Sequence, residues 1–211
     1  MSESEFGFET QAIRNQLERT QYLEHSVPLY LTSSFVFEDA EDMRASFAEE
    51  KDRNIYSRYS NPNTNEFVDK VCKMEGAEAG FAFASGMAAV YSTFAALLKS
   101  GDHIVSASSV FGATHSLFVN YFPKWNIETS YFDLTKPDTI ESFIKPNTKI
   151  LFAESPTNPA VDIIDLELLG AIAKKHNLIL IIDNCFATPY IQQPIKWGAH
   201  LVVHSATKLM D

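Results

Sequence analysis

KILFAESPTNPAVDIIDLELLGAIAKKHNLILIID, residues 149–183, holds two short apolar runs with an amphipathic helix pattern between them. KILFAE and LILIID are apolar almost throughout, as strands covered on both faces are, while DLELLGAIAKKH has the period of a helix. The alternation continues outward in both directions. Upstream, HIVSA (103–107) reads as a strand, THSLFVNYF (114–122) as a helix, IETSYF (127–132) as a strand and PDTIESFI (137–144) as a helix. Downstream, HLVVHS (200–205) reads as a last strand. Short apolar runs separated by helices predict a mainly parallel sheet between helical layers, an α/β doubly wound architecture. Glu154, Asp183 and Ser205 stand where strands end. Open parallel sheets bind ligands outside the carboxyl ends of their strands, so the chemistry is expected there.

The first sixty residues are less regular. Helices are expected over 10–19 and 40–49, with extended chain, VPLYLTSSFVF (27–37), between them. A helix over 65–74 leads into a short apolar run over 79–84, and a further helix opens at Ser85-Gly86 and ends near Gly101. This divides the chain into an N-terminal arm with its helices, 1–60, and an α/β domain, 61–211. The last residues, VVHSATKLMD, stop three positions after Lys208 without a final helix, and read as an interrupted sequence.

Composition narrows the function classes. With 45% hydrophobic and 12% aromatic residues in 211, the chain has material for a large core. Its 17 basic and 27 acidic side chains give a net charge of −10, which repels phosphate backbones and anionic lipid, so neither nucleic acid nor membrane is an expected partner. No apolar run approaches the ~20 residues of a bilayer span. The start, MSESEFGFET, is acidic where a signal peptide is basic and then apolar, and a cytoplasmic protein is expected. Cys72 and Cys185 form no disulfide framework and are expected to be free thiols. His200 and His204 are four apart, but in a strand four residues span roughly 13 Å, too far for one ion, so no metal site is expected.

Three features carry chemistry. Asp183 closes an apolar strand; such an acid can also cap the next helix or hold a metal. SATK (205–208) follows a second apolar strand, with Ser205 and Thr207 on one side by the period of two and Lys208 beside them. Hydroxyls near a lysine suit a phosphate, and a desolvated lysine amine can attack an aldehyde to form a Schiff base; the plainer alternative is a strand end with a solvated lysine. FAFASGMAAV (81–90) is a strand, a tight turn and a helix start, where unpaired amides of Gly86 and Met87 and the helix dipole make an anion site, or Ser85 is simply a cap. Together they match what pyridoxal 5'-phosphate needs: a carboxylate to keep the ring nitrogen protonated, a lysine for the aldehyde and amides for the phosphate.

The run IDNCFATPYIQQPIKWGAHLVVHSATK (182–208) resembles the cofactor segment of the cystathionine gamma-synthase family of pyridoxal phosphate enzymes. YSRYSNPNTN (56–65), ASGMAA (84–89), VFGATHSLF (110–118) and ESPTNP (154–159) resemble that family's motifs in the same order, so the likeness covers nearly all of the chain from Val27 onward. It implies the fold type I transferase fold with the C-terminal domain missing. It further implies that Lys208 carries the cofactor and acts as catalytic base, and that Asp183 pairs with the ring nitrogen. Ser85, Gly86, Met87, Ser205 and Thr207 would hold the phosphate, and Asn158 would lie beside the cofactor hydroxyl. Tyr56 and Arg58 would reach a neighbouring subunit's phosphate, implying a homodimer or homotetramer with shared sites and an arm that contacts the neighbour. Taken alone, Tyr56 and Arg58 read as an exposed loop pair, and Asn158 as a turn asparagine between prolines.

Two departures refine the expectation. Phe111 stands where many relatives stack a tyrosine on the cofactor, and it has no phenol to exchange protons. Cys185 stands where many carry threonine, and is read as packing. Both are most like the O-succinylhomoserine sulfhydrylase branch. The implied reaction is γ-replacement: an O-succinyl- or O-acetylhomoserine plus sulfide gives homocysteine, in methionine biosynthesis. The alternatives are a cystathionine-forming synthase or a γ-lyase and, in another class, an inert oligomerisation or binding module. A dinucleotide-dependent oxidoreductase suits the layered pattern but lacks the GxGxxG turn.

Overall fold

The computed structural model of the chain describes residues 6–14 and 19–210, which fall into two compact units, Met1–Ala82 and Phe83–Asp211. In the first, irregular chain joins three helices, α1 (Phe8–Arg14), α2 (Ala40–Phe47) and α3 (Pro62–Glu75). The ends of α3 follow from its sequence. The Asn61 side chain accepts from the amide of Asn63, Pro62 occupies the first turn where no amide is needed, and Gly76 closes the helix at φ 73°. Helix α1, expected over 10–19, covers Phe8–Arg14, and residues 15–18 lie outside the described part.

The extended run over 27–37 forms no strand; it makes a single antiparallel bridge, Ser34 to Tyr56. Side-chain amides take the backbone groups that a neighbouring strand would need. Asn63 accepts from the Tyr30 amide at 2.8 Å and donates to the Pro28 carbonyl at 2.7 Å, and Asn61 donates to the Tyr30 carbonyl at 3.1 Å.

The second unit contains α4 (Gly86–Leu97), β1 (His103–Ala107), α5 (Gly112–Ser116), β2 (Glu128–Phe132), β3 (Thr148–Glu154), α6 (Leu166–His176), β4 (Ile179–Asp183), α7 (Thr188–Ile191) and β5 (Leu201–Val203). Its five strands form one parallel sheet between helices, in the order β2-β1-β3-β4-β5. The β3–β4 register sets Glu154 directly opposite Asp183. Phe94 of α4 packs edge-on to Phe118 at 5.1 Å and to Phe152 of β3 at 5.3 Å, so one buried aromatic group joins helix, helix and sheet.

Helix α6 begins where the Asp165 side chain accepts from the Leu168 amide, and ends at left-handed Asn177 after Lys174 and Lys175, cations that complement the helix dipole. It buries Leu166, Leu169, Ile172 and Ala173. Gly170 lets the turn Pro194–Trp197 touch the helix backbone: a Cβ there would sit 2.0 Å from the Trp197 carbonyl oxygen. That contact fixes the approach to β5.

Several expected elements are modified. The helix over 114–122 is α5 followed by a π turn, Leu117–Tyr121, and a 3-10 turn, Phe122–Trp125; the changes of pitch leave Phe118 and Phe122 both buried near Phe94. The helix over 137–144 is a 3-10 helix, Pro137–Phe143, the tighter winding that short connecting segments often take. The apolar run over 79–84 is not a strand: Phe81 and Phe83 are exposed, and none of the described strands pairs with it. No helix among the described residues is long and apolar enough to cross a membrane.

Candidate active site

Strands β3, β4 and β5 end beside the start of α4, and the space between is a pocket whose wall includes Gly86, Met87, Phe111, Asn158, Asp183 and Ser205, with Lys208 at its side. Ser85 and Thr207 adjoin that wall without lining it. Tyr56 and Arg58 belong to the first unit, where the Arg58 guanidinium lies 5.0 Å over the Tyr56 ring and 5.6 Å over that of Tyr59.

The start of α4 has the form of an anion site. Ser85 is the cap, its hydroxyl oxygen accepting from the Ala88 amide at 3.1 Å, and the Ala89 amide donates to the Ser85 carbonyl. The amides of Gly86 and Met87, in the first turn, have no intrahelical acceptor. Gly86 also lies against Ser205: an added Cβ would come within 2.7 Å of the Ser205 Cβ. Only glycine allows the helix start and the turn after β5 to sit this close, which sets amides and the Ser205 hydroxyl around one small volume.

Asp183 is buried, at 7% exposure. Its Oδ1 accepts from the Cys185 amide at 3.1 Å. Burial pushes its carboxyl upward, while hydrogen bonds from Cys185 and the positive fields of His204 and Lys208 pull it down. Cys185 links this carboxylate to the Ser205 side of the pocket: burial, and then Asp183, raise its thiol, and its Sγ accepts from the Ser205 amide at 2.9 Å. Behind the wall, Gln192 Nε2 donates to the Ser155 carbonyl and to Asn184 Oδ1, both at 2.9 Å, tying the ends of β3 and β4 together.

Glu154 was legible in sequence only as a polar strand end. In the fold it is a pocket residue, 3% exposed. Its Oε2 accepts from the Phe111 amide at 2.5 Å and its Oε1 from the Asn158 amide at 3.1 Å. Burial, followed by the charge of Asp183, pushes it up from 4.5 to about 7. His204, dismissed with His200 as a metal ligand, also lines the pocket, whereas His200 Nδ1 accepts from the Leu180 amide at 3.1 Å and belongs to the sheet edge.

The raised Glu154 pKa is a stability statement for the cofactor-free chain. Between pH 4.5 and 7 the folded chain keeps a proton that the unfolded chain releases. The contribution is complete below pH 4.5 and is lost as pH rises through 7, about 3 kcal/mol in all at 1.36 kcal/mol per unit. Glu154→Gln is expected to remove that slope: denaturant midpoints of the variant, relative to the parent chain, should rise between pH 4.5 and 7. Parallel curves would show that Glu154 titrates normally.

A buried strand-end carboxylate, a lysine at the side of the same pocket and an anion-binding helix start held open by glycine define a cofactor site of the pyridoxal phosphate kind. The residues present fit that group: amides and Ser205 suit the phosphate, and buried Asp183 suits a protonated ring nitrogen. Comparison with known proteins agrees. The family model described as Cys/Met metabolism PLP-dependent enzyme matches residues 9–211, and the chain belongs to that family. It is 45% identical over 205 residues to O-succinylhomoserine sulfhydrylase of Pseudomonas aeruginosa, covering 97% of this chain and 51% of the relative. It is 38% identical over 212 residues to L-methionine gamma-lyase of Fusobacterium nucleatum subsp. polymorphum, covering 100% and 54%. A Campylobacter jejuni crystal structure named for O-acetylhomoserine (thiol)-lyase, carrying N'-pyridoxyl-lysine-5'-monophosphate, superposes with a TM-score of 0.90 at 36% identity, covering 96% of this chain and 50% of that one. The chain thus has the PLP-dependent fold type I architecture and spans about half the length of these relatives.

Proposed function

We propose that this chain is the N-terminal, cofactor-holding part of an O-acylhomoserine sulfhydrylase: O-succinyl- or O-acetylhomoserine and sulfide give homocysteine and the free acid. The observation that carries the reading is the meeting of Asp183, Lys208 and the α4 start at one pocket. Pyridoxal phosphate, when bound, supplies an aromatic ring that takes up the electron pair released at the substrate's Cα. Lys208 anchors that group and, once freed by the substrate amine, moves protons at Cα and Cβ. Asp183 keeps the proton on the ring nitrogen. Gly86, Met87, Ser85, Ser205 and Thr207 would hold the phosphate, and Asn158 would lie by the ring hydroxyl. The acyl group leaves Cγ as a carboxylate with the bonding pair, and hydrosulfide forms the new C–S bond there.

Phe111 supports replacement over elimination. Its ring lines the pocket but carries no hydroxyl, so this position offers no proton to a departing sulfur. The whole enzyme is read as a cytoplasmic homodimer or homotetramer in which residues 1–60 form an arm that presents Tyr56 and Arg58 to a neighbouring subunit's phosphate, and 61–211 form the cofactor domain.

Supplying the full-length enzyme with either acylhomoserine plus sulfide, plus cysteine, or with neither separates the readings. Homocysteine from sulfide is the expected product. Cystathionine from cysteine would assign a synthase, and a keto acid with ammonia in the absence of thiol would assign a γ-lyase.

A further inference from the structure

Glu154 sits at the carboxyl end of β3 and is almost completely buried. Its two oxygens grip two different loops: Oε2 takes the Phe111 amide, at the start of α5, and Oε1 takes the Asn158 amide, on the way to α6. Phe111 and Asn158 both line the pocket, and neither has another bond holding its amide in place among those of the described residues. The side chain therefore spans the top of the sheet from the β1 loop to the β3 loop, with Asp183 next to it in register on β4. A neutral pair of backbone amides could be served by water or by a serine. A buried carboxylate beside a second buried carboxylate is a costly choice, and it requires a return.

We propose that Glu154 is a positioning residue for the cofactor ring, a clasp that fixes Phe111 and Asn158 at the pocket wall by gripping both of their amides. The inference rests on the pyridoxal phosphate reading of this pocket and deepens it. The electrostatics follow the same geometry. Glu154 holds its proton up to about pH 7 in the cofactor-free chain, and a cationic ring at Asp183 would favour its ionised form; Cys185, His204 and Lys208 are the other titratable groups of the pocket wall. In Glu154→Gln one amide acceptor becomes an NH2 donor, which cannot meet a backbone N–H, so one loop is released. In Glu154→Asp the charge stays but the arm is one methylene shorter, so both grips cannot be kept at once.

The test uses the full-length enzyme and reads the cofactor rather than turnover. Wild type, Glu154→Gln and Glu154→Asp are reconstituted with pyridoxal phosphate. Each is then measured for cofactor Kd, for the visible circular dichroism of the bound ring and, after borohydride, for pyridoxyl-Lys208 by mass spectrometry. Loss of one charge-assisted hydrogen bond corresponds to a Kd weakened roughly tenfold or more in Glu154→Gln, and a freed Phe111 should at least roughly halve the visible dichroic band. Glu154→Asp should fall between the two, and decides the matter by the same readouts if Glu154→Gln does not fold. A lower melting temperature with unchanged Kd and dichroism would mark a purely structural carboxylate and overturn the clasp, leaving the cofactor site intact. Absence of pyridoxyl-Lys208 in wild type would overturn the cofactor reading itself, and the clasp with it.

Discussion

Replacing Lys208 with alanine should abolish the yellow, borohydride-reducible form of the full-length enzyme and lower turnover by roughly a thousandfold or more, the scale expected when a general base is deleted. The two tasks proposed for the amine rest on its place: Lys208 follows β5 by a short turn, with its amide donating to the Ser205 carbonyl at 3.2 Å, and it lines the Asp183 pocket. Cofactor should still bind the variant through phosphate contacts, because Gly86, Met87 and Ser205 are untouched. The measurement is a visible spectrum before and after borohydride, with turnover on acylhomoserine and sulfide. A variant that kept full turnover would remove Lys208 from the chemistry.

The second large effect is expected at Asp183. In Asp183→Asn the side chain keeps its shape and its acceptor for the Cys185 amide, but the charge facing the pocket is gone. A neutral amide cannot hold a proton on the ring nitrogen, so cofactor affinity should fall about ten- to hundredfold, as for loss of a buried charged hydrogen bond. Turnover should fall further than affinity, because an unprotonated ring is a poorer electron sink. Titrating apoenzyme with pyridoxal phosphate and measuring turnover at saturation separates the two losses. Equal turnover in both proteins at saturating cofactor would show that Asp183 only helps the pocket fold.

The sheet was readable because buried parallel strands leave continuous apolar runs. HIVSA, KILFAE and LILIID became β1, β3 and β4 within a residue of their expected limits. The run over 79–84 has similar composition and failed as a strand, since apolarity describes a residue's preference and says nothing of whether a partner strand is there to bond with. The run over 27–37, expected as extended chain, joins no strand of the sheet, its backbone being claimed by Asn61 and Asn63, side chains that lie far along the sequence. Asp183 and Lys208 stood out because Asp183 closes one strand, Lys208 follows another and motifs surround both, and the fold brings the two to one pocket. Glu154 had no such signal. Its partners are backbone amides, which every residue carries, so only the folded geometry shows what the carboxylate grips. Cys185 was read as packing, and its sulfur in fact bridges toward Ser205, a contact that spacing alone could not disclose.

The near-contact between Gly86 and Ser205 has a consequence for the order of events in the cell. The helix that opens the anion cradle is synthesised before the turn that completes it, so a nascent chain that has passed α4 but not β5 carries only half a cradle. Vitamin capture therefore cannot precede the turn after β5, and a polypeptide halted before that turn has neither Ser205 nor Lys208 with which to take up the aldehyde.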